Sequence, residues 1–528
     1  ASCVAQMYSD VSLSGNLTIT AGQLTTGVGG YGYSNLTVTG TTVVSGTLTC
    51  NSSTISLGAT ITGNAYGLNV ASGGTFTGGT GANHYLGPCN LQSSTTLTTG
   101  TTTIATSAYS DNRAIWLDTS ITCPTDSILK FTGTEEQNIA ESGSDTAART
   151  LAKVVVDKAS NKVSFVSGNP IAMTCQELTI TSGEFDTGPD DVALTVTGDV
   201  SVTGTLTGNA SAISMGSLTI NSGGTYAATS GTTTIKSETS GGSTYVNDGT
   251  FTHNNGTLLL HADIPDTQVY AGSSSLYNLT SSTGNNVWLK ENITIANDLT
   301  VTSGTFGSGG GNDKAITVTG DVSITGGELG NGSETGAYSF GSLTIASGAT
   351  YSATSGTTTI TAKTSDNYGI KGGGTFTHNN GEVKVTGNAF RFPIGATYYD
   401  FTWDTSSEPC YLYSTTLSGG ATIDGTQNAG YTAILGTLKI NDRGFVPYNA
   451  TKVFINNLIV GDNTDSANAT NFDMQDSDVF DGDVIVNNIL INADGQLKFG
   501  DNHAGNSDAL EVRGAFRSLG GASGVVVV

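Results

Sequence analysis

The sequence predicts an all-β chain wound into a right-handed parallel β-solenoid. Three observations carry that prediction. Strings such as LTVTG, SLTI, GTTTI and GTFTH alternate apolar and small polar residues with period two, and Ser-Gly, Thr-Gly, Asn-Gly or Gly-Gly separates them. Long phrases recur almost letter for letter along the chain. Helix-forming runs of Ala, Leu, Glu and Lys are absent, while glycine occupies 72 of 528 positions and proline only 8. Each alternating string reads as one strand and one turn. A meander of so many strands requires a very large sheet, whereas coiling stacks each strand on its equivalent one turn earlier, with coils of roughly 20 to 24 residues. Tandem β-sandwiches are the alternative, because the copies are long enough to hold a domain of about 100 residues. Disorder is disfavoured, since Val, Ile, Leu, Phe and Tyr recur in these strings along nearly the whole length.

The repeats divide the chain. LTVTGDVSVTG (194–204) returns as ITVTGDVSITG (316–326), and GSLTINSGGTYAATSGTTTI (216–235) returns as GSLTIASGATYSATSGTTTI (341–360). The first pair is offset by 122 residues and the second by 125, so three residues are inserted between them, around 331–338. One opening phrase appears as NLTITAGQL (16–24), ELTITSGEF (177–185) and DLTVTSGTF (298–306), with a worn fourth version in TLKINDRGF (437–445). The expected organisation is an N-terminal segment or cap over 1–16 and solenoid repeats over 17–177, 178–298 and 299–437. A degenerate fourth repeat over 438–528 carries an acidic loop and a C-terminal strand.

GTFTHNNGTL (249–258) and GTFTHNNGEV (374–383) are the sharpest pair. Phe251 and Phe376 fall on the inward phase and are expected to stack in ladders. Asn254-Asn255-Gly256 and Asn379-Asn380-Gly381 supply the turn, because Asn and Gly tolerate the left-handed backbone of a sharp corner. Asparagine amides at the spacing of adjacent strands, about 4.8 Å, can also hydrogen-bond along the solenoid axis. His253 and His378 sit one residue before the corner and read as architectural. Catalysis needs one constellation, whereas architecture needs many equivalent corners.

Composition limits the function. Only 12% of residues are charged, against roughly 25% in a typical soluble protein. The net charge of -24, from 43 acids and 19 bases, argues against nucleic acid or an anionic membrane as partner and makes cations the expected companions. No apolar run is long enough for a membrane span. The chain begins at Ala1, as an exported protein does after its signal peptide is removed. Cys3, Cys50, Cys89, Cys123, Cys175 and Cys410 lack the spacing of a zinc site, and their even number permits disulfides without requiring them.

Enzymes that cleave polysaccharides on β-helices gather acids and bases in one groove. Here Arg113, Arg149, Arg391, Arg443, Arg513 and Arg517 are scattered, none beside two carboxylates in sequence, and no catalytic motif is present, so no catalytic residue is assigned. Asp190-Asp191, after Gly188-Pro189, reads as a solvated turn. An acidic stretch over 461–484 gathers Asp473, Asp476, Asp478, Asp481 and Asp483. Asp476, Asp478, Asp481 and Asp483 are the candidate ligands for Ca²⁺, which accepts six to eight hard oxygens in loose geometry; a solvated loop is the competing reading. The last four residues, Val525, Val526, Val527 and Val528, carry no charge or cap and are expected to pair with another copy of the chain.

The Gly, Thr, Ser and Asn-rich copies, with phrases such as NLTIT, LTVTGDV and SGTFTHNNG, resemble the repetitive β-helical (pectin-lyase-like) exterior proteins. These include bacterial and archaeal surface-layer and adhesin proteins and the fibres of marine phage virions. The resemblance spans about residues 15–460 and rests on repeat style. It implies a non-catalytic extracellular structural protein: a self-assembling subunit of a surface layer, sheath or filament with an adhesive role toward a host-surface glycan or receptor. The alternative is a virion fibre or receptor-binding protein, and a polysaccharide-degrading enzyme ranks below both.

Overall fold

The computed structural model describes residues 3–27, 32–118, 120–141, 149–167, 172–309 and 313–386. It also describes the segments 400–403, 410–413, 422–423, 432–440, 445–448, 452–460, 470–473, 483–491, 495–498, 509–518 and 526–527. Every regular element among them is a β-strand, and the strand pairings between successive coils are parallel. The chain is a parallel β-solenoid, and the β-sandwich alternative is discarded. Among the described residues no helix is long and apolar enough to cross a membrane. The chain divides into two compact units, Ala1–His261 with Gly272–Ser274, and Ala262–Ala271 with Ser275–Val528.

In the first unit the period-two strings become ladders. Leu36, Ile55, His84, Thr102, Leu129, Val154, Leu178, Val200, Leu218 and Tyr245 pair in unbroken register, coil upon coil. All are buried. Other ladders close the remaining sides, among them Leu24, Leu48 and Phe76, and Phe185, Leu206, Tyr226 and Phe251. The core is therefore a set of parallel columns, each large apolar rung contributing about 1.5–3 kcal/mol by its burial. Strand partners on adjacent coils of this unit lie between 18 residues apart (His84 and Thr102) and 29 apart (Ile55 and His84), a wider spread than the uniform coil the repeats suggest. Corners absorb the difference.

The second unit is built the same way. Val287, Phe306, Leu329, Tyr351 and Phe376 form one column, and Leu279, Leu299, Val322, Leu343 and Ile370 another. A third ladder runs from Ile293–Ile295 through Thr357–Ile360 and Lys452–Val460 to Asp483–Ile491 and Ala509–Val512.

The repeated phrases are repeated contacts. Tyr226 and Tyr351 point inward, and each phenol shares a hydrogen bond with an inward threonine, Thr233 at 2.7 Å and Thr358 at 2.6 Å. Ser217 donates to Asp199 and Ser342 to Asp321, both at 2.6 Å, which accounts for the aspartate of TGDV and the serine of GSLTI. The inserted segment near 331–338 holds Glu334, fully buried. It accepts the backbone N–H groups of Ser308 (2.6 Å) and Gly309 (3.0 Å) and the hydroxyl of Tyr338. The insertion thus brings its own acceptor for donors that burial would otherwise orphan.

Candidate functional site

The twin corners are as alike in space as in sequence. Phe251 is buried against Tyr226 with ring centroids 5.6 Å apart, and Phe376 lies on Tyr351 at 5.5 Å. Asn254 and Asn255 take φ of 45° and 60°, and Asn379 and Asn380 take 47° and 61°. The glycine that follows serves a different need: a Cβ on Gly256 or Gly381 would overlap the carbonyl oxygen of Thr229 or Thr354 on the preceding coil. The asparagine amides do bond along the axis, but to backbone: Asn254 Nδ2 donates to Ala228 O and Asn379 Nδ2 to Ala353 O, each at 2.8 Å. His253 Nδ1 accepts the N–H of Asn255 at 3.0 Å, and His378 Nδ1 that of Asn380 at 2.9 Å. Both imidazoles act as corner acceptors, in the manner of an Asx turn.

The other anticipated site residues are only partly placed. Asp476, Asp478 and Asp481 lie outside the described residues, while Asp483 opens the strand Asp483–Ile491 and its backbone pairs with Lys452 and Ala509. Among the described residues no group of three or more His, Cys, Asp or Glu is placed to hold a metal ion. Val525 and Val528 also lie outside the described residues, and Val526 and Val527 pair in parallel with Leu497 and Lys498 of their own chain, as the outermost strand of that sheet. Cys3, Cys50, Cys89, Cys123 and Cys175 are free thiols, and burial pushes the thiols of Cys50, Cys89 and Cys175 up from their ordinary range.

What the local sequence does not reveal is a polar trough on the first unit. Two adjoining depressions of about 580 and 450 Å³ share Glu136 and Lys162 in their walls. Residues of successive coils come together there through strand register, Asn138 beside Ser164, and Lys162 beside Glu184, which in turn faces Thr205. Lys162 Nζ lies 2.7 Å from Asp186 Oδ2. That bond raises the lysine pKa despite burial, helped by the charges of Asp186, Glu136 and Glu184. Burial pushes the Asp186 carboxyl up, but Lys162, the Gly188 N–H (2.9 Å) and the Asn209 amide (2.7 Å) outweigh it and hold the group below the usual range. Thr207 donates to Glu184 at 2.6 Å. Asp191 is exposed at φ 52° and accepts the N–H of Ala210, a turn as expected, with Gly188 and Pro189 forming part of the trough wall.

At one end stand aromatic rings. The Arg113 guanidinium bonds Asp111, lies 4.1 Å over the Trp116 ring and 5.9 Å over Tyr109. Tyr109 packs on Tyr66 at 5.0 Å, and burial, then Tyr109, pushes the Tyr66 phenol up to about 12. Sequence proximity alone separates bases from carboxylates, but the coils reunite them: Lys162 faces Asp186, Glu136 and Glu184 across three turns. Composition carries a partial signal, since Glu136 and Lys162 of the trough wall belong to the most charged stretch of the chain. Residues 130–162 carry ten charged side chains in a chain otherwise poor in charge.

Comparison with known proteins yields no matching family model, no matching curated protein and no matching solved structure, so the reading of this chain rests on its own geometry.

Proposed function

We propose that this chain is a non-catalytic structural protein of an exterior surface, assembling with copies of itself into a layer, sheath or filament. The observation that carries the reading is reiteration. The corner of His253 to Gly256 and the corner of His378 to Gly381 repeat the same backbone angles and the same bonds to within 0.1 Å. The sequence resources go into equivalent coil-to-coil contacts, as a load-carrying or surface-covering subunit requires. The free thiols favour a virion part as a second reading, because a particle assembled in a reducing cytosol has no use for disulfides, whereas small exported domains commonly depend on them.

Electron microscopy and light scattering of the purified chain over a concentration series test the proposal, alongside a chain lacking Val525 to Val528. Ordered assemblies that shrink or vanish on deletion are expected. A wild-type chain that stays monomeric throughout refutes self-assembly. Assemblies unchanged by the deletion refute only the role given to the valines. Ca²⁺ held by Asp476, Asp478, Asp481 and Asp483 is the cofactor proposed, because it accepts hard oxygen ligands in loose geometry.

A further inference from the structure

We infer that the trough of the first unit binds a saccharide chain rich in hydroxyls and free of acidic groups. The inference goes beyond the structural role and does not depend on assembly.

The first ground is Tyr109. It adopts φ 63°, and every other described non-glycine residue with positive φ is Asn or Asp. A left-handed backbone costs a bulky residue about 1–2 kcal/mol, which a turn alone would avoid by using the asparagine found at the neighbouring Asn112, φ 55°. The strain holds a phenol ring 39% exposed, immediately before Ser110, the first residue of the trough wall. The ring packs on Tyr66, and its exposed remainder adds apolar surface beside the polar wall that begins at Ser110, the pairing that suits the two-faced surface of a sugar ring.

The second ground is unmet hydrogen bonding in the wall itself. Asn138 and Ser164 are neighbours in the ladder, 8% and 2% exposed, and both line the 450 Å³ depression. Asn138 donates through Nδ2 to Asp111 O at 2.7 Å but its Oδ1 has no donor; Ser164 Oγ and Asp111 Oδ1 are likewise without partners. Buried polar atoms in a native fold are almost always satisfied, by protein, water or ligand. These three oxygens call for donors. Hydroxyls repeated along a chain supply them across successive coils.

The third ground is charge. The walls contribute Asp111, Glu136, Glu184 and Asp186 against Lys162 and the Arg113 that bonds Asp111, which leaves two carboxylates in excess. That surplus of carboxylates repels uronates, sulfated sugars and phosphates, while leaving neutral and amino sugars free to approach.

The test is calorimetric titration of the full chain with hexamers of N-acetylglucosamine, glucose, glucosamine and galacturonate, and with a lysine-rich peptide. At least one of the first three should bind with a Kd in the millimolar range or tighter, and galacturonate should not. Tyr109→Gly should weaken binding by about tenfold or more, while relief of the strain at φ 63° offsets part of the packing lost against Tyr66, so that the chain still folds. Ser164→Ala should weaken it severalfold with Tm unchanged or raised, because removing an unsatisfied buried hydroxyl does not harm the free protein. If Tyr109→Gly unfolds the chain, Ser164→Ala decides alone. Failure of all three non-acidic hexamers to bind, preference for galacturonate, binding of the peptide alone, or saccharide binding indifferent to both variants would each overturn the inference.

Discussion

Lys158 offers the most quantitative check on the first unit. Its side chain is 1% exposed, and Nζ donates to Gln137 Oε1 at 2.7 Å and to Thr132 O at 3.4 Å. Gln137 in turn donates to Ile104 O and Thr106 O, so a chain of bonds links three coils. Burial lowers the lysine pKa to about 8, with the charge of Glu135 opposing it. An unfolded lysine titrates near 10.4. Between these values the unfolded chain holds a proton that the folded chain has released, so stability contributed at this site rises with pH. From pH 7 to 9.5 the gain is on the order of 1–2 kcal/mol. Buried thiols push the other way: Cys50, Cys89 and Cys175 stay protonated when folded, and the unfolded chain loses their protons above about pH 8.5. The assay is therefore a difference: denaturant midpoints of wild type and Lys158→Met at half-unit steps from pH 7 to 9.5. The variant leaves Gln137 Oε1 without its donor, a cost of about 1–3 kcal/mol that does not vary with pH. The wild type should gain on the variant as pH rises. Parallel curves would refute the reasoning, and a gap narrowing in the opposite sense would show that the ammonium stabilises the fold.

Three further outcomes are expected. Replacing His253 and His378 by Asn should change stability by less than about 0.5 kcal/mol, because the amide oxygen can accept the same N–H two residues on, whereas Leu at both positions should cost about 0.5–1.5 kcal/mol per corner in chemical denaturation. Gly256→Ala should cost about 1–3 kcal/mol through overlap with Thr229 O, while Gly231→Ala, whose added carbon meets Thr229 Oγ1 at 3.4 Å and Ala210 O at 3.8 Å, should be nearly neutral; equal melting temperatures for the two would contradict the packing argument. If Asp476, Asp478, Asp481 and Asp483 hold Ca²⁺, chelator should lower Tm and the fourfold Asn variant should lose that sensitivity, since an ion bound only by the folded state stabilises it. A melting curve indifferent to chelator and to added calcium leaves a solvated loop.

The fold was legible because its physics is local and reiterated. Period two in LTVTG marks which side chains enter the columns, and the 125-residue echo of GTYAATSGTTTI in ATYSATSGTTTI identifies inward tyrosines that need the same threonine partner twice. The corner was legible for the same reason, although its glycine proved to answer to close approach rather than to backbone sign. The inserted segment was found from offsets alone, but not its purpose. Glu334 belongs to no repeat, and only the packed coil shows that it accepts the N–H groups of Ser308 and Gly309.

The trough was illegible for a reason inherent in solenoids. Strand partners on adjacent coils of the first unit lie 18 to 29 residues apart, and the interval changes from coil to coil, so no motif of fixed spacing can describe a site on such a face. Lys162 meets Asp186 across 24 residues, and Asn209 meets Asp186 across 23. A search for a base between two nearby carboxylates passes over all of them. The clue that does survive in one dimension is disproportion, ten charges within residues 130–162; the tyrosine at a left-handed turn, where the other described non-glycine residues are asparagine or aspartate, shows only in the folded chain. In a molecule assembled from equivalent rungs, the positions that break the pattern at a cost in stability are the ones where binding is to be sought.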